Sequence, residues 1–230
     1  MDLRLAKWNG WIDGTVKSNV LTMHLHRHAW EEVTAILQAN PDLPESYWWE
    51  FMHDTYATTQ AVAVRRQADT HRGVASLGKL VEEIAGDPSH FTREYYIRLW
   101  DDPDPYWLRV AQEHWDETYA GLVGNHLDPA IPAADLETLK AAAERVTHYV
   151  DKHVAHADAG AVSAEVTVRL SEVHDTIDTI GTLFKKYAGL FSSSAYGTLV
   201  PVIPHNWKAA FSLPWMKPRE RRQLSVSKPS

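Results

Sequence analysis

Between Val166 and Phe191 the apolar residues Val166, Leu170, Val173, Ile177, Ile180, Phe184, Tyr187 and Phe191 recur at alternating steps of four and three. A strand sends every second residue to one face. Only a helix gathers this set on one side, as a seam with the period of a heptad repeat. Such a seam serves either a core helix of a single-chain bundle or a coiled-coil dimer. The core helix is the preferred reading.

The rest of the chain is punctuated by proline and glycine in a way that also spells helices. Asn19–Asn40 reads as a helix with Ser18 as cap and Leu21, Leu25, Ala29, Val33 and Ile36 on one stripe; Pro41 and Pro44 end it. Ser46 caps a second helix to about Asp69, whose apolar-leaning face is Trp48, Met52, Thr55/Tyr56, Thr59 and Val62. Residues 70–87 predict a shorter helix, and Thr92–Trp100 another. Asp101, Asp102 and Asp104 alternate with prolines and read as a turn and cap before a helix over 105–123. Asp135 to about Ala155 is rich in good helix formers. No convincing strand set is present, because the short run Leu199–Ile203 is broken by Pro201.

The expected fold is therefore all-α, a bundle of five to seven helices. It divides into an N-terminal segment 1–17, a helical domain 18–194 and a docked arm with basic tail, 195–230. The arm is extended and aromatic, with Pro201, Pro204, Pro214, Trp207 and Trp215. In the tail Lys217, Arg219, Arg221, Arg222 and Lys228 face only Glu220, so it can contact phosphate or simply be a solvated end.

Composition removes several function classes. The net charge of −7 argues against a generally basic nucleic-acid surface. The absence of cysteine excludes disulfides, thiolate metal sites and a cysteine nucleophile. No apolar run approaches the ~18 residues of a membrane span, and no secretory signal opens the chain, so the expectation is a soluble cytoplasmic protein without membrane contact. Glycine-rich phosphate loops, nucleophile elbows and dinucleotide fingerprints are all missing. Ten tryptophans predict an aromatic core edge or a self-association surface.

Thirteen histidines concentrate the chemistry in three groups. His24 and His28 share a helix face and His26 does not, since two residues diverge by about 200°; a structural or surface role is expected. Glu172, His174, Asp175 and Asp178 read as a solvated face in which His174 and Asp178 are placed to bond. The third group, His148, Asp151, His153, His156 and Asp158, is the most informative. Three ligands from one regular helix would strain a metal site, whereas a neutral imidazole serves as acid or base near pH 7 without one. Lys152 beside it can stabilise phosphate charge. No cofactor or metal is expected.

The segment Asp151-Lys152-His153-Val154-Ala155-His156-Ala157-Asp158, placed late in an α-helical chain before a long amphipathic helix, resembles the HEPN superfamily. It looks most like the AbiU-type branch linked to phage abortive infection, in which a segment of the form N-K-x-V-A-H-x-D opens a long helix. Upstream, Ala63–Asp69 and Ser76–Ile84 look similar too. The resemblance covers about residues 18–191. It implies a dimerising bundle with the motif of each protomer at a shared cleft, and in active members a metal-independent ribonuclease that uses the RNA 2′-hydroxyl as nucleophile. Carried over, His156 is the motif histidine, and Asp151 stands where asparagine is usual. The family arginine, separated from the histidine by four to six intervening residues, has no counterpart: those spacings fall on Asp151, Val150 and Tyr149. Arg145 lies about three helical turns before His156.

Two readings follow from the resemblance. The leading one is a phage-defence or toxin-type endoribonuclease, working as a homodimer on RNA, with His156 and His153 as acid–base pair, Lys152 at the phosphate, and Asp151 and Arg145 in attendance. The other is a catalytically inactive helical module that binds a protein partner, as an antitoxin does.

Overall fold

The computed structural model describes residues 2–42, 46–100, 104–122, 124–154, 167–193, 195–203 and 205–213. The chain is all-α. Among the described residues there are eight α-helices and no strand, only an isolated bridge between Thr92 and His126. The helices are α1 Leu3–Gly10, α2 Lys17–Gln38, α3 Tyr47–Ala68, α4 Leu77–Gly86, α5 Arg93–Arg98, α6 Pro105–Thr118, α7 Ala130–Tyr149 and α8 Leu170–Gly189. No helix among them is long and apolar enough to cross a membrane.

The chain forms two compact units, residues 1–200 and 201–230. In the first, α8 is the axis. Val173, Ile177, Ile180, Phe184 and Tyr187 of its seam are all buried within the one chain, as a core helix requires. Each such side chain contributes about 1.5–3 kcal/mol relative to exposure. The seam's first residue, Val166, falls outside the described residues. α7 packs against α8, α3 and α4, while α2 packs against α3 and α8, and α5 pairs with α6. In the second unit, the described residues contain a 3₁₀ turn, Trp207–Ser212, with Trp207 edge-on to Phe211.

The first helical element begins well before Asn19. Asp2 caps α1 by accepting the N–H groups of Arg4 and Leu5, and a π turn, Trp11–Val16, joins α1 to α2. Ser18 is thus interior, its carbonyl accepting the Thr22 hydroxyl at 2.8 Å. Trp8, Ile12 and Val16 enter the core. Trp8 stacks on Phe91 and donates its Nε1–H to Glu83 Oε2 at 2.8 Å.

α3 also departs from its expected face. Its buried residues are Gln60, Ala61, Val64 and Gln67, in its C-terminal half, while Trp48 and Thr55 are exposed. The glutamines are tolerated because their amides meet backbone. Gln67 Oε1 accepts the Leu77 N–H at 3.2 Å, and Gln60 Nε2 donates to the Met23 carbonyl at 3.5 Å. α4 is shorter than 70–87, because Ser76 Oγ caps it by accepting the Lys79 N–H. Gly78 is required there: a Cβ would stand 2.8 Å from the Ala68 carbonyl oxygen. α7 starts ahead of Asp135, since buried Asp128 accepts the Ala130 and Leu122 N–H groups and Pro132 is tolerated in a first turn. α6 begins as expected, with Asp104 accepting the Tyr106 N–H and Pro105 in the first turn.

Candidate functional site

The end of α7 does not stop at Tyr149. It widens into a π turn, Val150–Val154, which contains Asp151, Lys152 and His153. π turns within α-helices are uncommon and concentrate at functional sites. Val150 is buried and anchors the turn. His153 is exposed and lies against Tyr149, with ring centroids 5.3 Å apart. Lys152 is half-buried and makes no ion pair with a described residue. His156, with Ala155, Ala157 and Asp158, lies outside the described residues.

Asp151 is met by α3. Arg65 donates its Nε–H to Asp151 Oδ1 at 3.0 Å and an Nη1–H to Asp69 Oδ2 at 2.8 Å. Asp69 also accepts the His71 backbone N–H at 2.9 Å and contacts the His71 ring Nδ1 at 2.7 Å. The chain Asp151–Arg65–Asp69–His71 therefore joins the two helices. The hydrogen bond to Asp151 is the main influence raising the Arg65 pKa above its ordinary value, against partial burial. Burial of Asp69 favours its neutral form, but the His71 N–H, the His71 ring and Arg65 hold its carboxyl below the usual carboxylate range. Arg65 is the residue that sequence reasoning passed over. The i, i+4 spacing of Arg65 and Asp69 was visible; the reach from α3 to Asp151 was not.

Arg145 belongs elsewhere. Its Nη1 pairs with Glu172 Oε1 at 2.7 Å, and its Nη2–H donates to the Thr167 carbonyl at 3.0 Å. It thus holds the start of α8, where Glu172 also accepts the Arg169 N–H at 2.8 Å. Asp151, Lys152 and His153 are brought together, while Arg145 is tied to α8. Beside Asp151 runs a groove of about 580 Å³, lined by His148, Glu144, Glu137 and Lys140 among others. Lys140 is paired with Glu137 at 3.0 Å, so the groove is acidic in balance.

The other two histidine groups hold helices together. His174 Nε2 meets the Tyr56 hydroxyl at 2.8 Å, and Asp178 accepts from Arg27 at 2.7 Å. His174 and Asp178 thus bond to α3 and α2, not to each other, because neighbouring helices offer nearer partners. Trp30 stacks on Tyr56 at 4.8 Å. Burial, with Arg27 adding to it, lowers the His174 pKa. In the first group His24 is pressed against Gly181, and burial lowers its pKa. No group of three or more His, Asp or Glu with metal-holding geometry occurs among the described residues.

No protein-family model, curated protein or solved structure matches this chain.

Proposed function

We propose that this chain is a HEPN-like protein of the phage-defence or toxin type that acts on RNA as a homodimer, with the π turn after α7 and the adjoining His156 as its working edge. The observation that carries the reading is Arg65 at Asp151. The arginine missing from the motif's own helix is supplied there from α3, at 3.0 Å. Its Nε and Nη1 are engaged and Nη2 makes no bond to a described residue, which leaves donors for a phosphodiester.

The chemistry needs no metal. One imidazole takes the proton of the RNA 2′-hydroxyl as that oxygen attacks the adjacent phosphorus. The other gives a proton to the departing 5′-oxygen, and a 2′,3′-cyclic phosphate remains. His156 and His153 fill these roles, while Lys152 and Arg65 balance charge on the phosphoryl oxygens.

A second reading, the inactive interaction module, is favoured by a different observation: both arginines of the region are already matched to carboxylates, Arg65 to Asp69 and Asp151 and Arg145 to Glu172. Expression of the wild type, His156→Ala and Arg65→Ala separates the two. The RNase reading expects wild-type toxicity, cleavage of total RNA with EDTA present, and loss of both in each variant. If wild type leaves RNA intact with and without divalent metal, and His156→Ala grows no differently, the interaction module stands instead.

A further inference from the structure

Ser46 caps α3, and the helix runs regularly from Tyr47 onward. Tyr47, Glu50, Phe51 and Asp54 stand at positions i, i+3, i+4 and i+7 and so share an arc of about 100°. All four are exposed, Tyr47 by 80% and Phe51 by 53%. Further along α3, Gln60, Val64 and Gln67 bury the opposite side, so the arc points away from the core. Trp48 adjoins it, edge-on to Trp49 at 4.4 Å. Aromatic ring and carboxylate thus alternate along one outward stripe of the helix. Exposed apolar surface gathered in this way marks an interaction site.

The charge around the stripe has one sign. Between Arg27 and Arg65 the chain has six Asp and Glu and no Lys or Arg. Glu50 and Asp54 make no ion pair with a lysine or arginine among the described residues. Elsewhere the chain covers accessible rings with its own cations, Lys7 over Trp11 at 4.3 Å and Arg109 over Tyr106 at 5.6 Å. No described cation lies over Tyr47 or Phe51. This selects the partner. Anionic lipid, nucleic acid and the same stripe of a second copy all bring negative charge to a negative face and are repelled. A guanidinium suits both halves of the stripe, because it stacks on an aromatic ring and pairs with a carboxylate.

We infer that the Tyr47–Asp54 stripe of α3 docks an arginine-rich segment of another protein, with guanidinium groups over Tyr47 and Phe51 and paired with Glu50 and Asp54. Full-length protein is titrated calorimetrically with a synthetic peptide of alternating arginine and alanine; the glutamate–alanine peptide is the control. The titrations are repeated on Tyr47→Ser with Phe51→Ser, on Glu50→Gln with Asp54→Asn, and on Glu113→Gln with Glu117→Gln. The last pair removes the same charge from α6. All six side chains are exposed, so each double variant is expected to fold, and circular dichroism checks this.

The inference holds if the arginine peptide binds, the glutamate peptide does not, and each α3 pair weakens binding at least tenfold while the α6 pair leaves it within threefold. It is overturned if the arginine peptide does not bind at millimolar concentration or if either α3 pair leaves binding unchanged. It is also overturned if the α6 pair weakens binding as much, which is general attraction to an acidic protein. Two other occupants are separable. If replacing Arg219, Arg221 and Arg222 by glutamine tightens peptide binding at least tenfold, the chain's own tail holds the stripe and the inference fails. If the protein sediments as a dimer that Phe51→Glu converts to a monomer, a second copy holds the stripe and the inference fails. None of these readouts depends on RNA cleavage, so the outcome is independent of the function proposed above.

Discussion

Arg65 on α3 and Asp151 in the π turn after α7 lie 86 residues apart in the chain and meet at 3.0 Å. The same guanidinium holds Asp69, whose side chain is 13% exposed. One arginine therefore fixes where the π turn sits against α3. Removing it costs unequally on its two sides. Asp151 is largely hydrated, and an exposed pair contributes about 0–1 kcal/mol, whereas Asp69 would be left partly buried without its cation. Arg65→Met is expected to lose about 1 kcal/mol in urea unfolding, and Asp151→Asn clearly less. Either loss leaves the protein folded, so a change in toxicity on Arg65→Met reports on the site.

The N-terminal helix behaves as core. Trp8→Ala is expected to cost about 3–5 kcal/mol, as for other fully buried aromatic truncations. Trp8→Phe keeps an aromatic ring against Phe91 and gives up the Nε1–Glu83 hydrogen bond, at a cost of about 1 kcal/mol beyond the change in ring size. Chemical denaturation of both variants checks the order. Equal stability of Trp8→Ala and wild type would contradict the continuous helix from Leu3 into α2.

Gly181 lets α8 approach α2. A Cβ there would lie 2.6 Å from His24 Nε2 and 2.8 Å from Leu199 Cδ1. Gly181→Ala is expected to destabilise by about 1–3 kcal/mol through overpacking, partly offset by alanine's better helix propensity. His24→Ala in the same molecule should recover part of the loss. A double-mutant cycle with no coupling between positions 24 and 181 would show that the contact is not the cause.

Stability should fall between pH 7 and 5. Burial lowers the imidazole pKa of His24 and His174. Below the ordinary histidine value of about 6.5 the unfolded chain then binds more protons than the native one. The contribution of these groups is fully present above that pH and is lost as pH drops through their lowered native values. Carboxylates held low, such as Asp69 and Glu83, act in a separate window below about pH 4. His24→Gln with His174→Gln should flatten the Tm profile between pH 7 and 5. An unchanged slope in that double variant would assign the effect to other groups.

The all-α class was legible because helical periodicity is local. The seam of α8 needed only its own spacing, and the caps Ser46, Thr92 and Asp104 sit where short polar side chains reach nearby N–H groups. The N-terminal helix was missed because its stability comes from distant partners, Phe91 and Glu83, which no local pattern reveals. α3's buried face was missed for a related reason. Gln60 and Gln67 look solvated in a sequence and are buried only because Met23 and Leu77 bring backbone groups to them.

The sequence by itself determined the helical class, the breaks between most helices, the core role of α8's seam, and the placing of Asp151, Lys152 and His153 side by side. Only the tertiary structure decided what faces them. Arg65 reaches Asp151 because α3 and α7 pack together, and Arg145 is tied away because Glu172 starts α8 beside it. Spacing along a chain fixes which side chains share a helix face. Which charge from another helix arrives at that face depends on how the helices pack, and that is set by the whole core.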